Sequence, residues 1–246
     1  MRALLILLLT CLPWGAPQAA CRQALVLALD VSSSVDPDEY RLQMQGLAGV
    51  LQDPDVQGVL LADPSAPVML AVFEWAGRTD QKLVVPWIRL KSRTDLDRVS
   101  ALLSTLRRGG GTRPTALGHA LAYAGRLMEE VPDCWQKVVD VSGDGKNNDG
   151  FRPKAGKRGR VFDQITVNGL VIGKAFESNH QIAGNEIAAL IAYYHQEVLH
   201  GPDAFLETAL GFRDFARAMK KKILRETSIA VAQQSPRQQV LAANTP

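Results

Sequence analysis

Two hydrophobic patterns alternate along this chain. Short, nearly continuous apolar runs are separated by longer stretches in which apolar residues return every three or four positions. Gln23 to Leu29 (QALVLAL) is a run of the first kind and ends at Asp30. Such a run suits a strand buried on both faces of a parallel sheet. Asp36-Pro37-Asp38-Glu39 then reads as a helix start. Asp36 caps, Pro37 fits the first turn, Glu39 completes a capping box, and the helix is expected to reach about Leu51. Val68 to Trp75 and Gln81 to Leu90 read as a hairpin around Gly77. Pro86 removes a ladder donor and places the second strand at an edge. Leu96, Val99, Leu102, Leu103 and Leu106 give Thr94 to Leu106 a helical period.

Gly109-Gly110-Gly111 breaks the chain before a helix predicted from Ala116 to Glu130. Gln136 to Ser142 is a second buried strand, followed by a turn from Gly143 to Gly150. The pattern then predicts a helix at Gly159 to Ile165, a strand at Thr166 to Ile172 and a helix at Glu186 to Leu199. A short strand at Ala204 to Ala209 and a helix at Arg213 to Arg225 complete it. Strands alternating with helices predict an α/β fold, a doubly wound and mostly parallel sheet flanked by helices. Ligands of such sheets bind beyond the carboxyl ends of the strands, where the strand order reverses.

The ends of the chain read differently. Arg2, the apolar stretch Ala3 to Leu12 and the small residues up to Ala20 have the layout of a secretory signal peptide over residues 1–20. The apolar stretch falls short of the roughly 18 residues that span a bilayer. Export is therefore expected, to the periplasm or beyond, with lipid attachment at Cys21 as the alternative. Residues 21–226 form the expected domain, and 227–246, rich in Gln, Ser, Pro and Ala, a loose tail. Removal of Cys11 with the signal leaves Cys21 and Cys134. Each precedes one of the two buried runs. If those runs are neighbouring strands in register, the two cysteines sit at one sheet edge, close enough to bridge in an oxidising compartment. Two free thiols, or a lipidated Cys21, are the alternatives.

Composition narrows the function. A formal net charge of +3 and no aromatic-interleaved basic stripe argue against nucleic acid. The basic stretches Arg107-Arg108 and Arg152 to Arg160 read as solvated loops. The sequence has no H-E-x-x-H, no G-x-S-x-G and no phosphate-binding loop, and its four histidines are scattered.

Three polar clusters do fall at the ligand edge. They are Asp30-Val31-Ser32-Ser33-Ser34, Thr112-Arg113-Pro114-Thr115, and Asp144 after the second buried strand. Each alone is ordinary turn or cap chemistry. Together they supply two carboxylates and several hydroxyls, a set that suits a hard cation such as Mg²⁺ or Mn²⁺. Asp140 shares a strand face with Ser142 and Asp144. It lies deeper, and a structural role there is preferred to ligation.

In that order the clusters resemble von Willebrand factor A domains. Asp30-Val-Ser-Ser-Ser is similar to their D-x-S-x-S signature, Thr115 to Leu121 to their T-x-x-G-x-A-L segment, and Val138 to Gly145 (VVDVSGDG) to their strand ending in Asp-Gly. The pairing of VDVSGDGKNNDG with TVNGLVI is similar to a bacterial branch of these domains of unassigned function. The resemblance implies a metal-ion-dependent adhesion site. Ser32 and Ser34 would ligate directly, Thr115 directly or through water, and Asp30 and Asp144 largely through water. Thr112 competes with Thr115 for the loop role, and the spacing to Gly118 favours Thr115. Gly143 stands where many relatives have Thr or Ser. The implied function is capture of an acidic side chain of an extracytoplasmic protein by the bound cation, without catalysis. A metal-dependent hydrolase, with Asp30, Asp144 or Glu74 as base, and a structural domain with a vestigial site are the competing readings. Ligand capture would shift the loop holding Thr115 and the last helix.

Overall fold

The computed structural model describes residues 21–131, 133–173 and 180–227, with nothing drawn from the side chains of 180–183. The leader at 1–20 and the tail beyond 227 lie outside the described residues. Six strands form one sheet: β1 (Gln23–Asp30), β2 (Val68–Trp75), β3 (Gln81–Leu90), β4 (Gln136–Gly143), β5 (Ile165–Ile172) and β6 (Leu206–Ala209). The helices are α1 (Pro37–Gln52), α2 (Pro54–Leu60), α3 (Arg93–Thr105), α4 (Leu117–Glu129), α5 (Pro153–Gly156), α6 (His180–Glu197) and α7, which covers 215–227. Short 3₁₀ turns occupy Arg160–Gln164 and Phe212–Asp214.

The strand order is β3-β2-β1-β4-β5-β6. All neighbours are parallel except the β2–β3 hairpin. As expected, the strand carrying Pro86 is an edge. The β2–β3 register shifts between Leu70↔Ile88 and Val72↔Val85, so Pro86 falls in a bulge. The order reverses between β1 and β4, which places the ligand crevice at their carboxyl ends.

Period-2 alternation sorts β1 between two cores. Leu25, Leu27 and Leu29 join the core with α1, α3 and α7, while Ala24, Val26 and Ala28 join the core with α4 and α6. Both faces of β1 are covered, which explains its unbroken apolar run. The helix start at Asp36 is as the sequence predicts. Its carboxylate accepts from the Asp38 and Glu39 amides, and Glu39 closes the capping box onto the Asp36 amide. Two helices were not anticipated. α2 begins at a second Asp-Pro, Asp53-Pro54, and at 7 residues is too short to show a period. α5 spans 4 residues, and the predicted helix at Gly159 to Ile165 is instead the 3₁₀ turn Arg160–Gln164.

Cys21 and Cys134 form a disulfide, with Cα atoms 4.6 Å apart. The register makes this possible: Gln23 pairs with Gln136, and the Trp135 amide donates to the Cys21 carbonyl. Nearby, the buried Arg22 guanidinium donates to the Leu60 carbonyl at 2.9 Å and satisfies the end of α2.

Asp140 is the deep carboxylate that the sequence placed in a structural role. It faces α7, where Lys222 Nζ lies 3.0 Å from Asp140 Oδ1 and 2.8 Å from Glu226 Oε1. Asn168 on β5 donates to the same Glu226 oxygen at 2.7 Å. All four side chains are buried. Burial first, and the Glu226 charge after it, push the Asp140 carboxyl up to about 7 against the attraction of Lys222. One ammonium faces two buried carboxyl groups here, which favours proton uptake by Asp140.

Candidate metal centre

The β1 and β4 ends stand side by side, with Leu29 paired to Ser142. The chain beyond β1 turns back on itself. The Ser32 amide donates to Asp30 Oδ1 at 2.8 Å, and the Val35 amide to the Ser32 carbonyl at 3.0 Å. This local bonding turns the Ser32 and Ser34 hydroxyls toward each other, 3.1 Å apart. Ser34 Oγ then donates to Asp144 Oδ1 at 2.6 Å and bridges the β1 loop to the β4 turn. Four of the five predicted residues are thus joined in one chain of contacts.

Thr115, the fifth, is placed by the turn that follows Asp144. Its amide donates to Asn148 Oδ1 at 2.8 Å, and the Asn148 amide returns to the Thr115 carbonyl at 2.9 Å. A Cβ on Gly145 would meet Thr115 Oγ1 at 3.9 Å, so the hydroxyl stands over the Asp144 turn. Thr115 is buried and Thr112 exposed, and Thr115 is the threonine that stands beside this turn. Gly118 permits this docking. A Cβ there would lie 2.1 Å from the Phe151 carbonyl oxygen.

Asp30 is fully buried, and its Oδ2 has no partner of hydrogen-bond geometry. Burial, then the charge of Asp144, push its carboxyl up to about 7, against hydrogen bonds from Ser32 and the Asp144 amide. Two carboxylates that repel across hydroxyl groups, one with an orphaned buried oxygen, fit a divalent cation. Among the described residues no cluster of three or more His, Cys, Asp or Glu stands ready for a metal. The hydroxyls of Ser32, Ser34 and Thr115 lie beside these carboxylates and are the oxygens that could complete a donor set.

Several supporting residues escaped the sequence reading. Gln43 on α1 donates to the Asp30 carbonyl at 3.0 Å and lies 3.4 Å from Ser142 Oγ, tying the two strand ends together. Asn147 accepts from the Gly118 amide at 3.1 Å. Arg108, read as solvated, donates to the Ser32 carbonyl at 3.1 Å. Tyr193 accepts from the Asn147 amide at 3.3 Å, and the wholly buried Tyr194 stands against Gly143. Only the Asn pair, in the turn that follows Asp144, carried a local signal, and it reads as turn chemistry. Glu74 is buried and accepts the Tyr40 hydroxyl.

A family model described as "Protein of unknown function (DUF1194)" matches residues 20–231. The chain belongs to the DUF1194 family. No curated protein matches it in sequence. Solved structures place DUF1194 among von Willebrand factor A-like folds. A von Willebrand factor type A protein from Catenulispora acidiphila is 19% identical, with a TM-score of 0.52, and the match covers 84% of this chain and 43% of that one. BatB from Bacteroides thetaiotaomicron is 16% identical, with a TM-score of 0.55 and coverage of 85% and 98%. The mussel byssus protein PTMP1, in a structure with a zinc-occupied MIDAS motif, is 18% identical, with a TM-score of 0.54 and coverage of 85% and 48%. The chain thus spans about half the length of the mussel protein. Among the described residues no helix is long and apolar enough to cross a membrane.

Proposed function

We propose that this chain is an exported, divalent-cation-dependent binding module that captures an acidic side chain of a partner protein. The observation that carries the reading is the relay from Ser32 through Ser34 to Asp144, set beside the buried Asp30 at the point where strand order reverses. Ser32, Ser34 and Thr115 would hold Mg²⁺ or Mn²⁺ through their hydroxyls, with Asp30 and Asp144 acting largely through water. Neutral hydroxyls leave most of the cation's charge uncompensated, and such a cation attracts a carboxylate from another molecule. The surroundings favour the same partner. A cleft of about 550 Å³ between α1 and the end of α3 is lined by Arg107, Arg108 and Arg41, the last paired with Asp38 at 2.9 Å. Arg108 also reaches the Ser32 carbonyl, so the basic cleft adjoins the metal loop. The reading is of binding rather than catalysis. Glu74 is buried under the Tyr40 hydroxyl, an arrangement ill suited to taking a proton from water at the cation. The disulfide fits export to an oxidising compartment.

Calorimetric titration of Mg²⁺ and Mn²⁺ into the mature chain tests this, alongside Ser34→Ala and Asp30→Asn. Ser34 is exposed, so its alanine variant should fold normally and bind metal at least about 10-fold more weakly. Absence of saturable binding by the folded wild type would overturn the proposal.

A further inference from the structure

The point one Cβ away from Gly143 lies between two buried polar atoms that have no partners, beside the edge of an indole ring. A side-chain carbon there would lie 2.5 Å from Tyr194 Oη, 3.0 Å from Asp30 Oδ2 and 3.5 Å from Trp75 Cζ2. Tyr194 Oη, Asp30 Oδ2 and Trp75 Nε1 are all buried, and none makes a hydrogen bond. Asp30 Oδ2 can only accept when ionised, whereas the phenol and the indole N–H can donate. One donor, the Tyr194 phenol, and one acceptor, Asp30 Oδ2, thus meet at a single spot walled by the Trp75 ring, which residue 143 leaves open by having no side chain. Buried polar groups of opposite character that meet in this way are rarely left unsatisfied.

We propose that Tyr194 is a positioning residue of the metal centre, its hydroxyl donating to Asp30 Oδ2 directly or across one water molecule. Residue 143 is glycine because any Cβ would occupy the space of that hydroxyl. The consequence for binding rests on the cation-dependent reading above. A buried carboxylate oriented by a phenol has its rotamer and its outward oxygen fixed before a cation arrives. The same helix holds the turn beyond Asp144. Tyr193 Oη accepts from the Asn147 amide, and Lys146 Nζ lies 5.9 Å from the centroid of the Tyr193 ring. Consecutive tyrosines on α6 therefore grip the two halves of the centre, Asp30 from β1 and the turn from β4. This makes α6 the helix whose displacement would disturb both.

A double-mutant cycle on the metal-free protein in chelator isolates the contact. Tyr194→Phe keeps the buried ring and deletes only the hydroxyl. It should destabilise the wild-type background more than the Asp30→Ala background in urea unfolding, because no side-chain acceptor remains in the latter. Purely additive effects would overturn the proposal, since a residue that only packs loses the same amount in both backgrounds. Mg²⁺ titration supplies the second arm. Tyr194→Phe, shown to be folded by near-ultraviolet circular dichroism, should bind at least about 10-fold more weakly than wild type. Equal affinity would likewise overturn it. If wild type binds no Mg²⁺, the functional reading falls, and the metal-free cycle alone decides the role of Tyr194.

Discussion

At the scale of single residues, two glycines show how a missing side chain sets the centre. Gly118 lets the start of α4 press against the Phe151 carbonyl, and that contact fixes the loop ending in Thr115. A methyl group 2.1 Å from backbone oxygen cannot be absorbed by rotating a flexible side chain. Gly118→Ala should therefore cost about 1–3 kcal/mol, as overpacking does, seen as a lowered urea midpoint with unchanged slope. On the proposed cation-dependent reading it should also weaken Mg²⁺ binding, because Thr115 moves with the loop. Gly143 is a different case, since its neighbours are side-chain ends and an indole edge. The sequence marked Gly143 only as a departure from relatives. The phenol that explains it arrives from 51 positions along the chain, at Tyr194, and no local pattern announces such a partner.

At the scale of elements, the buried triad of Asp140, Lys222 and Glu226 fastens α7 to β4 and β5. The sequence identified Asp140 as structural from its depth in the strand, but not its partner, because Lys222 reads locally as one more lysine in the run Lys220-Lys221-Lys222. Lys222→Met would leave two carboxylates buried without a cation and should cost about 3–5 kcal/mol, measured by denaturant unfolding. The pH dependence follows from the raised Asp140 carboxyl. Unfolded Asp140 ionises near 3.8, whereas the folded carboxyl holds its proton to about 7. Between those values the folded state binds more protons, so this group's contribution is present at low pH and is lost as pH rises through about 7. The slope it adds is at most about 1.4 kcal/mol per pH unit. Asp140→Asn should flatten that part of the stability profile. The triad also bears on the expectation that the last helix shifts on ligand capture. Sliding α7 would separate Lys222 from Asp140 in a dry interior, a barrier that α6 does not carry in the same form.

At the scale of the whole molecule, a disulfide across 113 positions closes the chain at the foot of β1 and β4, opposite the loops that carry Ser32, Ser34 and Asp144. In the chain-entropy account a loop of that length restricts the unfolded state strongly, and losing the bridge typically costs about 2–5 kcal/mol. Cys134→Ser should lower the thermal midpoint accordingly. Because the bridge and the centre lie at opposite ends of the same two strands, Mg²⁺ affinity of the folded variant should stay within about twofold, checked by titration below its unfolding temperature.

What the sequence determined by itself was whatever repeats over a few residues. The buried runs at Gln23 and Gln136, the Asp36 cap, the hairpin with its proline edge and the polar clusters after the strands are all local, because strand burial, capping and turn chemistry are properties of neighbours in the chain. Elements shorter than two turns, α2 and α5, carried no period and were lost. Tertiary structure alone decided which strands adjoin, and with that which of two threonines stands over the turn after Asp144, which lysine balances Asp140, and which tyrosine enters the space beside Gly143. Those choices depend on contacts between positions far apart in the chain, such as Ser34 with Asp144 at a separation of 110. Packing brings such partners together, and no periodicity encodes them.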